Sequence, residues 1–125
     1  MKTNANVFTI IDNTLNPYFE GAKRDAKFLI QHAIAGDSIG VITTSDSDFR
    51  IEGPIVIDPQ RAAIARVIEF IESIDFWDNN SLLGEAIYDV GKYFENTASA
   101  LAGTRDQCLL AHTARLPIPC AALHH

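Results

Sequence analysis

Residues 7–11, Val7-Phe8-Thr9-Ile10-Ile11, are β-branched or aromatic at every position. A strand with one wet face alternates apolar and polar residues, so an unbroken run of this kind predicts a central strand buried on both faces. A sheet covered by helices on both sides provides that environment. The run ends in Asp12-Asn13-Thr14-Leu15-Asn16-Pro17, and the proline, whose fixed backbone angle suits the first turn of a helix, makes this a strand-to-helix loop. Asp12, Thr14 and Asn16 stand two residues apart and each carries oxygen, which makes them candidate ligands for a hard cation such as Mg²⁺. The same residues also have a simpler use. Asn16-Pro17 is a good helix cap and start, and Asp12 complements the positive end of that helix.

Strands and helices alternate along the rest of the chain. Phe19, Ala22, Ala26, Leu29, Ile30 and Ala33 recur at helical spacing with charged residues between them, which predicts an amphipathic helix over residues 17–35 ended by Gly36. A second buried strand follows at residues 39–44, and the polar turn Ser45-Asp46-Ser47-Asp48 leads to a third at Ile51 and residues 55–57. Gly53-Pro54 places that third strand at an edge or bulge, because proline cannot donate to an interior ladder. Asp58-Pro59 opens a helix through about Ser73, and Ser81 opens a longer one reaching toward Gly103. Residues 107–113 form a last strand.

At 125 residues and 47% hydrophobic content, the chain supports one domain with a single core. Its boundaries are set at residues 1–113, with an irregular proline-containing tail at 114–125. The expected architecture is α/β: a three-layer open sheet, mostly parallel with one antiparallel edge strand, helices on both faces, and an incomplete C-terminal side. A net charge of −6 with dispersed lysines and arginines argues against nucleic acid or an anionic membrane as partner. No apolar run approaches the roughly 20 residues that span a bilayer. The polar N-terminus lacks a signal peptide's apolar segment, so a cytoplasmic location is expected. In that setting Cys108 and Cys120 are expected to be reduced.

Four segments together resemble the von Willebrand factor A domain family. Asp12-Asn13-Thr14-Leu15-Asn16 is a degenerate form of the family's Asp-x-Ser-x-Ser, the core of its metal-ion-dependent adhesion site. Lys23 matches a lysine of the first helix, and Asp37-Ser38-Ile39-Gly40-Val41 matches the family's Asp-x-(Ile/Val)-Gly-(Leu/Val) at the second strand. The second metal loop, usually Gly-Gly-Thr-x-Leu-x-x-Ala-Leu, is matched by Asn79-Asn80-Ser81-Leu82-Leu83-Gly84-Glu85-Ala86-Ile87. These pieces follow family order over about residues 5 to 103.

The resemblance implies that Asp12 orients metal-bound water, that Thr14 and Asn16 bind the cation directly, and that Ser81 adds a hydroxyl. Mg²⁺, with Mn²⁺ as substitute, is the implied cofactor. One position stays open for an acidic side chain of a partner protein. Departures weaken this set: Asn16 stands for a serine, Ser81 for a threonine, and Asn79-Asn80 for two glycines. The family's fourth strand ends in Thr-Asp-Gly, whereas residues 108–115 here contain no carboxylate. Asp46 and Asp78 are the accessory acids that would substitute. In a reading without metal, Ser81 is an ordinary helix N-cap.

Three functions follow from these readings. The first is a protein-binding, adhesion-type module with Mg²⁺ at Asp12, Thr14, Asn16 and Ser81; the second is a metal-free scaffold for assembly. The third is an aspartyl-nucleophile phosphotransfer enzyme, disfavoured because Thr14 stands where such enzymes place a second acid. Turnover is not expected, since the histidines lie outside both matched loops and leave the site without a general base. The resemblance fades after Arg105, where a full domain of the family would continue. The chain thus reads as C-terminally truncated, with an unpaired last strand that favours a homodimer or a strand-completing partner.

Overall fold

The computed structural model describes residues 4–14, 17–97, 105–111 and 118–119. Strand β1 (Ala5–Ile11) lies at the centre of a five-stranded sheet, with β2 (Ser38–Thr43) and β4 (Arg105–Ala111) parallel on either side of it. Strand β3 (Ile51–Val56) pairs antiparallel with β2, and β5 (Ile118–Pro119) pairs antiparallel with β4, giving the order β3-β2-β1-β4-β5. Helices α1 (Phe19–Gln31), α2 (Ala62–Glu72) and α3 (Leu83–Thr97) cover the sheet.

The two-residue period of a strand sorts the apolar run onto both faces. Ile11, Ile39 and Val41 pack with Phe19, Ala26 and Ile30 of α1 and with Ile64, Val67 and Ile71 of α2. Phe8, Ile10 and Ile42 turn the other way and pack with Ala86 and Val90 of α3. The sheet is therefore sandwiched between α1 and α2 on one side and α3 on the other, as the sequence predicted.

Several details differ from expectation. Helix α1 begins at Phe19 and ends at Gln31, shorter than residues 17–35, and Tyr18 at its N-cap makes no side-chain cap bond. Gly36 follows at φ +91, a left-handed angle suited to glycine, in the turn that leads to β2. The third strand is an edge, with Pro54 in it and a register irregularity opposite residues 39 and 41. The C-terminal side was expected to leave β4 unpaired and the tail irregular. Instead β5 closes on β4, Leu109 facing Pro119 and Leu110 facing Ile118, so the sheet has two antiparallel edges. This return of the chain along β4 accompanies a correction at Cys108, which is disulfide-bonded rather than reduced. Cys120 and Gly103 lie outside the described residues.

Helix α2 starts later than Pro59. Arg61 takes a left-handed backbone angle, φ 64, which interrupts the helical path before Ala62. The Arg61 guanidinium donates to the carbonyls of Ala33 (2.8 Å) and Gln31 (2.5 Å), so this turn also closes the C-terminal end of α1. Asp58 accepts the N–H groups of Ala63 at 3.0 Å and Ala62 at 3.2 Å, and the Ala63 bond above all holds its carboxyl below the ordinary aspartate value of 3.8. A carboxylate with a depressed folded pKa stabilises the fold above its unfolded pKa and loses that contribution as pH falls through the folded value. Asp58→Ala should therefore lower the thermal midpoint at about pH 7, and the difference from the parent should vanish at about pH 2. Midpoints of both proteins across that range, followed by circular dichroism, test it; a difference that persists in acid would assign the effect to the turn's backbone instead.

Candidate metal site at the sheet's switch point

Strands β1, β2 and β4 are parallel, so their carboxyl ends share one edge of the sheet. The chain runs from β1 to β2 and β3 on one side and returns to β4 on the other, which makes the end of β1 the switch point where open α/β sheets form ligand crevices. Asp12 stands there, one residue beyond β1 and 4% exposed.

The Asp12 carboxylate gathers hydroxyls from three segments. Its Oδ1 accepts the Thr14 N–H at 3.1 Å, the Thr14 hydroxyl at 2.6 Å and the Thr44 hydroxyl at 2.9 Å. Among the described residues its Oδ2 meets the Ser81 hydroxyl alone, at 3.5 Å, longer than an ordinary O–H···O bond. Among the described residues no lysine or arginine forms an ion pair with Asp12. One carboxylate oxygen is thus saturated by neutral donors, and the other keeps lone pairs directed to where Ser81 stands.

Asn13, fully buried, builds the frame around this carboxylate. Its Oδ1 accepts the N–H groups of Thr44 (3.2 Å) and Ser45 (2.9 Å), and its Nδ2 donates to the carbonyl of Asp75 at 3.0 Å. The loop at residues 75–80 is fixed further by Trp77 N–H donating to the Asn13 carbonyl at 2.9 Å. Ser45 forms a β-bridge with Ser81, and the Leu82 N–H donates to the Thr44 carbonyl at 2.6 Å. The Ser45 hydroxyl donates to Asn79, whose amide donates to Ser47. The three loops that carry the predicted residues are therefore cross-linked by hydrogen bonds.

Of the predicted ligands, Asp12, Thr14 and Ser81 come together, and Asn16 lies outside the described residues. Asp46 and Asp78 are exposed on the adjoining loops; Asp46 N–H donates to the Asn80 carbonyl, but neither carboxylate is bonded to Asp12. Lys23 serves elsewhere. Its ammonium donates to the carbonyls of Ile74 (3.0 Å) and Glu72 (3.3 Å), capping the end of α2 from α1. Two residues escaped the sequence reading: Thr44 and Asn13. Parallel pairing of Ile11 with Thr43 puts the next residues, Asp12 and Thr44, side by side, a relation visible once the register is known.

Among the described residues, no group of three or more His, Cys, Asp or Glu side chains is arranged to hold a metal. The donor chemistry is instead one carboxylate with neighbouring hydroxyls, which suits a hard, partly hydrated cation better than zinc. Tyr18, Phe76 and Trp77 expose 49%, 37% and 41% of their surfaces on the loops around Asp12. No helix among the described residues is long and apolar enough to cross a membrane. No protein-family model matches this chain, and no curated protein matches it.

Proposed function

We propose that this chain is a protein-binding module of the von Willebrand factor A type, with a weak Mg²⁺ site at the end of β1. The observation that supports the reading is the asymmetry of Asp12 among the described residues, with Oδ1 saturated by three donors and Oδ2 left to a single long contact. Asp12 and the hydroxyls of Thr14 and Ser81 would hold the cation, Asn16 adding an amide oxygen, while Thr44 orients the carboxylate. When bound, the ion supplies a Lewis-acidic point that a partner's carboxylate can complete. Exposed aromatic side chains beside a polar centre are what protein interfaces commonly use as anchors, and Tyr18, Phe76 and Trp77 occupy that position. Asp46 and Asp78 would act through their charge.

A binding role is the reading proposed here, and among the described residues no histidine is bonded to Asp12. His32 caps the far end of α1, its Nδ1 2.7 Å from the Phe28 carbonyl, and His112, His124 and His125 lie outside the described residues. A metal-free scaffold is the second reading, and the saturation of Oδ1 favours it, since Asp12 then serves only to lock three loops together. A homodimer or a strand-completing partner along the outer edge of β4 is part of the proposal, with β5 paired at Leu109 and Leu110.

Titration with Mg²⁺ decides between the two readings. One carboxylate predicts a dissociation constant of about 1 mM, so about 10 mM Mg²⁺ should stabilise the parent by about 1.4 kcal/mol. Asp12→Asn retains an oxygen for the three donors and should fold, yet lose this stabilisation; Thr14→Val should lose most of it. An absence of Mg²⁺- and Mn²⁺-dependent stabilisation in the parent would leave the scaffold.

A further inference from the structure

Strand β5 has little of its own to hold it to the sheet. It is two residues long, and among the described residues it pairs with β4 at Leu109↔Pro119 and Leu110↔Ile118, where Pro119 has no N–H to donate. A ladder that short does not keep a strand in place in water. Strand β4 is anchored independently, since it pairs with β1 from Ala5↔Arg105 to Ile11↔Ala111, and Cys108 packs against Phe8, Ile10, Ala86 and Val90 under α3. Cys108 supplies the missing restraint. It is disulfide-bonded, and the sequence holds one other cysteine, Cys120. In the antiparallel register each step down β4 is a step up β5, so the pair that follows Leu109↔Pro119 joins position 108 to position 120. Residues opposed in this way have Cα atoms about 4.5 to 5.5 Å apart, inside the span that a disulfide bridges.

We infer that Cys108 and Cys120 form a thiol-sensitive latch, whose reduction releases β5 and bares the outer edge of β4. Cys108 is half-buried on the strand next to the sheet's edge, where a small attacking thiolate can reach its sulfur. A dithiol reductant opens the bond in two exchanges. Its first thiolate attacks one sulfur, forming a mixed disulfide and releasing the other cysteine as thiolate; its second thiolate then displaces the remaining cysteine, and the reductant leaves as a cyclic disulfide. The chain gains two electrons and two protons. What remains is a seven-residue strand, still paired with β1, whose outer N–H and C=O groups are a template for an incoming strand. The regulatory use of the latch rests on the proposed reading of this edge as the docking edge for a second copy: the chain docks when reduced and stays closed when oxidised.

Hydrogen exchange and light scattering on the whole chain, oxidised and after treatment with dithiothreitol, test the latch. In dilute solution, reduction should speed exchange over residues 108–111 about tenfold or more, while residues 7–11 of β1 stay within about twofold. Cys120→Ser leaves Cys108 packed under α3 and should reproduce the fast exchange without reductant, after which dithiothreitol adds nothing. In concentrated solution the reduced chain should form a dimer and the oxidised chain should not. Unchanged exchange on reduction, protection in Cys120→Ser equal to that of the oxidised parent, or acceleration of β1 by the same factor as β4 overturns the latch. Fast exchange in a chain that stays monomeric at every concentration upholds the latch and overturns the docking edge. A dimer in both redox states upholds the edge and overturns the latch.

Discussion

Replacing Asn13 with alanine will lower the unfolding free energy by about 4 kcal/mol, the largest loss expected from any single polar side chain here. Among the described residues Asn13 is the sole side-chain acceptor for the N–H groups of Thr44 and Ser45, both fully buried, and its own amide donates to the Asp75 carbonyl. A buried donor left without a partner costs about 2 kcal/mol, and the substitution strands two of them. The Asp75 carbonyl, on an exposed loop, regains a partner from solvent and adds little. Asn79→Ala provides the contrast. It removes bonds to the Ser45 and Ser47 hydroxyls in a partly exposed turn, where water substitutes and the loss stays under about 1 kcal/mol. Urea unfolding of both variants, compared at equal slope, checks the pair. A similar loss for the two would mean that Asn13 does not anchor the loops.

That prediction rests on a residue the sequence reading passed over, and the reason is physical. The strands at residues 7–11 and 39–44 were legible because burial on both faces demands an unbroken apolar run, and the structure places β1 and β2 there. The helical face of α1 was legible from spacing, down to Ala22, Ala26 and Ile30. Asn13 and Thr44 acquire their roles from strand register, which no local pattern encodes; Asn13 read as a spacer between Asp12 and Thr14. Helix starts were overextended for a related reason. Pro17 and Pro59 permit helix, but Tyr18 offers no side-chain cap and Arg61 turns left-handed, so α1 and α2 begin two or three residues further on. The pairing of β5 was hidden because Pro117 and Pro119 read as extended chain without a partner, and proline can still accept from a neighbouring strand through its carbonyl.

At the candidate site, the family motifs led to Asp12, Thr14 and Ser81, and the structure gathers these three. They did not indicate how Asp12 is held. The carboxylate sits among hydroxyls and one N–H rather than beside a cation, so its charge is stabilised by dipoles that remain after the loops close. This is why Asp12→Asn should preserve the fold while removing any affinity for a divalent ion.

Asp37→Ala will cost about 3 kcal/mol from the other end of the sheet, and Asp37→Asn about half as much. Asp37 belongs to the second-strand motif, yet its side chain acts on β1. Its Oδ1 accepts the buried N–H of Ala5 at 2.9 Å, and its Oδ2 accepts the N–H of Ile34 at 3.0 Å. Its backbone carbonyl takes the Ile57 N–H at 2.8 Å, and Gly36 donates to the Ile57 carbonyl at 2.9 Å. One aspartate thus joins the start of β1, the turn after α1 and the end of β3. Alanine leaves the Ala5 donor unpaired in the interior; asparagine keeps one oxygen for it and turns an N–H₂ toward Ile34, where partial exposure softens the mismatch. Hydrogen exchange at Ala5 and Ile34 should speed up in both variants, most in alanine, while Thr44 and Ser45 follow global stability alone. Because Asp37 lies at the opposite end of β1 from Asp12, any Mg²⁺ affinity should survive Asp37→Asn. An alanine variant as stable as the parent would show that the β1 entry is held by the ladder with β2 and β4, not by this carboxylate.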